Sequence, residues 1–158
     1  MKAQITDIVP GRILYHVYGV SGLNTEIDER NVTKIIVTSK PYGVNIGLSS
    51  PALFFKNITV YENYSGEISE YETSNSVNDC GIVTNDERSI YNLNRLFTSK
   101  ESAMNFMREL QTGKFSDPVD QEYANSINYM SGINPNKFII DEDYDYDYYD
   151  YDYYDYDE

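Results

Sequence analysis

Residues 141–158 contain only Asp, Glu and Tyr, and that tract sets the terms for the rest of the chain. It holds ten acids and eight tyrosines, with no base and no aliphatic side chain. Like charges at such short spacing oppose compaction, and the segment has too little apolar surface to offset the entropy of ordering it. The core must therefore come from residues 1–140, a length that suffices for one domain without staples. The expected organisation is a globular domain over 1–140 and a disordered acidic tail over 141–158.

The tail also accounts for most of the charge. It carries −10 of a formal −14, which leaves sixteen acids against twelve bases, or −4, for the other 140 residues. Such a chain is repelled by nucleic acid and by anionic membranes, and attracted to basic proteins. No stretch approaches the length of a membrane span, and the first residues lack the apolar run of a secretory leader. With Cys80 as the only cysteine, no intrachain disulfide can form. A reducing compartment suits such a chain, and the expected location is cytoplasmic, in the host cell if the protein is viral.

The first half reads as β-structure. Residues 12–20 and 32–39 are rich in β-branched and aromatic side chains, bounded by Pro10-Gly11 and Pro41. Short apolar runs follow at 44–48 and 53–56. Residues 58–64 and 67–72 alternate around Ser65-Gly66 and predict a hairpin, with Ile58 and Val60 on one face. Residues 73–88 read as a long polar loop, and 90–97 as the last strand. Thr98 and Glu101 have capping-box spacing ahead of a stripe formed by Ala103, Phe106, Met107 and Leu110, and Gly113 stops that helix. Asp117-Pro118 opens a second helix, with Val119, Tyr123, Ile127 and Met130 on one face. Residues 138–140 then dock on the body. Strands first and helices after predict an α+β fold: an antiparallel sheet of about five to six strands with two C-terminal helices packed on one face.

The segment 96–103, LFTSKESA, runs from a strand into a helix and resembles small bacteriophage accessory proteins. The abundance of Asn, Ile and Tyr beside four alanines and no Trp points to AT-rich coding sequence, which agrees with that origin.

Catalytic chemistry is sparse. His16 lies within a strand, where histidine is structural or half-exposed, and no nucleophile motif accompanies it. Cys80 falls in the polar loop. A small enzyme using His16 or Cys80 is the alternative to a binding protein, and a structural virion component is a third. One Cys and one His leave too few ligands for zinc, and no glycine-rich phosphate loop is present, so neither metal nor cofactor is expected. Lys34, Lys56, Lys100, Arg108 and the other bases are scattered, without the cluster that direct nucleic-acid binding requires.

The tail itself is the candidate partner-binding element. Asp145, Tyr146, Asp147, Tyr148 and Tyr149 form a pentad. Asp150, Tyr151, Asp152, Tyr153 and Tyr154 repeat it, and Asp155 and Tyr156 begin a third. The doubled tyrosines reverse the alternation, so no single amphipathic strand runs its length. A calcium loop begun at Asp143 fails, because Tyr148 and Tyr154 stand where glycine and glutamate are needed. Carboxylates interleaved with phenol rings imitate single-stranded nucleic acid, whose binding proteins offer cationic grooves and stacking platforms. The tail thereby resembles the acidic C-terminal tails of single-stranded-DNA-binding proteins. A solubilising appendage grown by repeat expansion accounts for the same residues.

Overall fold

The computed structural model describes residues 1–19, 26–45, 47, 51–84 and 89–129. Six strands, β1 (Ile13–Val17), β2 (Val32–Val37), β3 (Tyr42–Val44), β4 (Ala52–Glu62), β5 (Ile68–Ser76) and β6 (Arg95–Phe97), form one sheet. Every pairing is antiparallel. Two helices follow, α1 (Lys100–Thr112) and α2 (Pro118–Ser126). The α+β expectation and its order of strands before helices hold. Met130, residues 138–140 and the acidic tail lie outside the described residues.

The eleven-residue β4 is the spine of the sheet. It merges the runs at 53–56 and 58–64 into one strand. Along one side it pairs with β5, from Phe54 opposite Ser76 to Glu62 opposite Ile68. Its other side takes β3 at Ala52, Leu53 and Phe54, and β2 at Asn57 to Val60. The sheet continues from β2 through β1 to β6. At the hairpin, Asn63 N–H donates to the Glu67 carbonyl at 2.9 Å, and Gly66 takes φ +78°, the left-handed geometry its place in the loop requires. Tyr64 is thereby held at the tip, 92% exposed.

Each face of the sheet carries its own core. On one side Val17 and Phe97 pack against Phe106, Met107 and Leu110 of α1, with Phe115, Ala124 and Tyr129 beyond. On the other, Leu14, Ile35, Val37, Phe55 and Leu96 are covered by Ala3, Ile8, Val77 and Cys80. Alternation along β4 sends Asn57 and Thr59, both buried, to this second side, and leaves Ile58 and Val60 half-buried. The polar pair is accommodated by a ladder. Asn75 Nδ2 donates to Asn57 Oδ1 at 2.6 Å, Asn57 Nδ2 to Thr59 Oγ1 at 3.2 Å, and the Thr59 and Thr73 hydroxyls meet at 3.2 Å.

Several boundaries differ from the sequence expectation. The polar composition of 73–88 hid the end of β5, which runs to Ser76 because Phe54 to Asn57 offer it a ladder. Of 90–97 only Arg95–Phe97 is strand. Ser99, not Thr98, caps α1: its extended backbone lets its hydroxyl accept from Ser102 N–H at 3.2 Å, while Thr98 Oγ1 donates to the Met1 carbonyl. The apolar stripe of α1 is buried as expected. For α2, Val119 and Ile127 are 56% and 47% exposed, and the helix buries Asp120 and Ala124 instead. The cause is Arg95, which is buried on β6 and draws Asp120 inward.

Candidate binding groove

His16 and Cys80 are the two residues that the sequence offers for catalysis. His16 stands on β1 opposite Thr33 and Leu96, and is 3% exposed. Its ring meets that of Tyr18 edge-on at 4.2 Å, and neither imidazole nitrogen has a hydrogen-bond partner. Burial lowers its pKa to about 4, so the ring is neutral at pH 7. Cys80 was expected in a polar loop. It is buried instead, because a short 3-10 turn (Asn78–Cys80) folds it under the second core with Val77. Burial, assisted by the nearby Asp79 charge, pushes its thiol up to about 12. No hydrogen bond links His16 to Cys80. A thiol held protonated and an imidazole without a partner do not make an activated nucleophile.

The helix-bearing face of the sheet is not fully covered. Beside the N-terminus of α1, between that helix and the β4–β5 hairpin, lies an open groove of about 490 Å³. Tyr15 of β1, Val32 of β2, Val60 of β4 and Ile68 of β5 supply its apolar surface. Arg30, Lys34 and Lys100 line it, with Glu29 and Glu62 as the only carboxylates among its lining residues.

The cations differ in their freedom. Arg30 belongs to the short 3-10 turn Glu29–Asn31, capped by the Asp28 side chain. Its guanidinium is forked onto Asp28, with Nη2 to Oδ2 at 2.6 Å, and Nη1 donates to the Tyr64 hydroxyl at 3.0 Å. That bond ties the hairpin tip to the turn before β2 and fixes one wall of the groove. The Asp28 bonds raise the Arg30 pKa, and the bonds from Arg30 in turn hold the Asp28 carboxyl below its usual range. Lys34 and Lys100 have no ion-pair partner among the described residues. Both lysines share the groove lining with Glu29 and Glu62.

A second depression, of about 460 Å³, lies where the N-terminus meets α1 and α2. Its carboxylates at Asp117 and Asp120 already hold the Lys2 ammonium. Among the described residues no cluster of His, Cys, Asp and Glu has the makings of a metal site, and no helix is long and apolar enough to cross a membrane.

The groove was not legible in the sequence. Its members come from β1, β2, β4, β5, α1 and a turn, and no local motif joins them. Lys34 and Lys100 read as scattered bases until the fold brings them together. The candidate tail residues, from Asp145 to Tyr156, lie outside the described residues.

A family described as Phage g100-like protein matches residues 2–110, which takes in all six strands and α1 as far as Leu110. No curated protein and no solved structure matches the chain.

Proposed function

The chain belongs to the Phage g100-like protein family, a family of bacteriophage proteins, and from that premise we propose that it is a non-enzymatic accessory protein that acts by binding another protein. The observation that carries this reading is the contrast between its two kinds of residue. His16 and Cys80, the candidate base and nucleophile, are buried and neutral. The groups offered to solvent are those of a recognition surface: Tyr61, Tyr64, Ile68 and Tyr71 on the hairpin are between 50% and 92% exposed.

The body supplies specificity through this hairpin, and the tail supplies attraction to a basic partner. Its alternating carboxylates and phenol rings fit a site built for single-stranded nucleic acid, with charges in place of phosphates and rings in place of bases. A host nucleic-acid-processing or defence protein is the partner this chemistry selects. Affinity capture from host lysate tests the reading with two full-length proteins, the parent and a variant in which the ten tail acids are amides. A basic protein retained by the parent and lost by the amide variant supports it. Identical captured sets would remove the tail from the mechanism.

A further inference from the structure

We propose that the outer edge of β5 takes an extended segment of a partner protein, bearing Lys or Arg at alternate positions, as a further antiparallel strand of the sheet. This rests on the reading above, in which the protein binds a basic partner, and it assigns the contact that the body makes.

The backbone of β5 has a free side. β4 and β5 pair without a bulge from Phe54 opposite Ser76 to Glu62 opposite Ile68. Just beyond the two ends of that ladder, Asn63 N–H donates to the Glu67 carbonyl and Val77 N–H to the Leu53 carbonyl, both at 2.9 Å. Hydrogen-bonded pairs recur at every second residue of an antiparallel ladder, so the odd-numbered residues of β5 turn their N–H and C=O groups to β4. Those of Ile68, Glu70, Glu72 and Ser74 point outward, and among the described residues β5 pairs with no strand but β4. Every residue from Ile68 to Glu72 is exposed. The far side of β6 is finished differently. There Ala3 N–H donates to the Leu96 carbonyl and Thr98 N–H to the Met1 carbonyl, so the N-terminal segment covers it. An uncovered strand edge is a template for one more strand.

Side-chain chemistry selects the occupant. Ile68, Glu70 and Glu72 lie on the face of β5 that continues from Ile58 and Val60. Residues 52–76 hold Glu62, Glu67, Glu70 and Glu72 against Lys56 alone, a net −3. Adding Lys34, two strands away on the same face, still leaves −2, and Arg30 is already paired with Asp28 and Glu26. None of the four glutamates joins an ion pair among the described residues. An antiparallel strand on this edge sets alternate side chains directly beside Glu72, Glu70 and Ile68. A Lys-x-Lys-x-Val segment thus supplies two opposite-charge pairs and one apolar pair, while its intervening residues meet Tyr71 and Ser69 on the other face. A second copy of β5 fits poorly. Registers centred on Glu70, Tyr71 or Glu72 set glutamate opposite glutamate, and those centred elsewhere leave Ile68 or Glu72 without a strand partner.

The test uses the full-length chain whose ten tail acids are amides, so that the tail cannot hold the probe. The probe is the capped heptapeptide Ser-Val-Lys-Val-Lys-Thr-Val, written to lie antiparallel from Ser74 to Ile68. Hydrogen exchange of single amides is followed by NMR. In the free chain the Glu70 and Glu72 amides should exchange freely, and those of Tyr71 and Thr73, bonded to β4, slowly. With peptide at about nine times its dissociation constant, the Glu70 and Glu72 amides should slow about tenfold. The same peptide with Glu for Lys should leave the rates unchanged. So should the shuffled Val-Val-Lys-Lys-Val-Ser-Thr, which puts its lysines on opposite faces. In Glu70→Lys/Glu72→Lys the preference should invert, the Glu peptide protecting and the Lys peptide not. Unchanged Glu70 and Glu72 rates up to the solubility limit of the Lys peptide would overturn the proposal, as would equal protection by the shuffled peptide. Protection that grows with protein concentration in the absence of peptide would make a second copy the occupant and overturn it as well. The tail plays no part in this assay, so a bare edge sinks this inference alone, whatever the lysate capture shows.

Discussion

Arg95 of β6 donates from Nε and Nη2 to one carboxylate oxygen of Asp120 on α2, at 3.0 and 2.8 Å, with both side chains 2% exposed. The other Asp120 oxygen takes the Lys2 ammonium, and Arg95 Nη1 is spent on the carbonyls of Asn92 and Asn94 at 3.0 and 2.6 Å. Gly81 closes over this arginine: a Cβ there would stand 2.6 Å from Arg95 Cδ, and its φ of +78° disfavours a side chain in any case. One carboxylate thus joins the N-terminal segment, the sheet and the last described helix.

Asp120→Ala should be among the most damaging single substitutions in the protein. It leaves the Arg95 guanidinium buried without its counter-ion, a situation that costs about 3–5 kcal/mol. Urea unfolding should show a loss of that size. Asp117→Ala, which removes a half-exposed cap and one Lys2 contact, should cost about 1 kcal/mol. Equal effects at the two positions would show that the Arg95–Asp120 pair does not anchor α2.

His16 makes stability depend on pH. Its pKa is lowered from 6.5 in the free side chain to about 4 in the fold, so the unfolded chain takes up the proton first. Stability from this residue is intact above about pH 6.5 and falls as pH drops through the window down to 4. The full loss is roughly 3 kcal/mol, at about 1.4 kcal/mol per pH unit. Melting temperature measured between pH 7 and pH 4 should decline in the parent and flatten over that window in His16→Phe. A parent that melts at one temperature throughout would show that the imidazole is not held neutral.

Cys80 should be inert. With 2% exposure and a thiol pushed up to about 12, it offers almost no thiolate at neutral pH. A disulfide reagent such as dithionitrobenzoate should react with the native protein only at the rate of unfolding, and quickly in denaturant. Fast native labelling would reopen the enzyme alternative.

Partner binding should depend on both rings and charge in the tail. Carboxylates on alternate residues of an extended chain lie roughly 7 Å apart, sparser than the charges of duplex DNA, so charge alone imitates a duplex poorly. Replacing the eight tail tyrosines with serine keeps −10 of charge and removes stacking. Affinity at fixed salt should then fall by ~1–3 kcal/mol per ring engaged. Amides in place of the ten acids should instead slow association and flatten its salt dependence. If both variants bind like the parent, the tail is an appendage.

The sequence alone determined what is set by neighbours in the chain. The turn at Ser65-Gly66 follows from a glycine able to take positive φ, the buried stripe of α1 from its helical spacing, and the start of α2 from Asp117-Pro118. The antiparallel α+β architecture follows from strands that precede helices. Tertiary structure decided whatever depends on residues far apart. Val119, Tyr123 and Ile127 look like the inner face of α2; Tyr123 does pack on the core, yet Val119 and Ile127 are exposed and Asp120 faces inward, because a buried guanidinium twenty-five positions earlier outweighs the burial of a valine. Cys80 sits in a polar stretch and is buried, because a single turn carries it beneath Leu14 and Phe55. Lys34 and Lys100, sixty-six positions apart, come to line one groove only because β2 and the start of α1 border the same uncovered patch of sheet. Charge–charge energies depend on distance in space and on exclusion of water, and neither quantity is written in a linear order of residues.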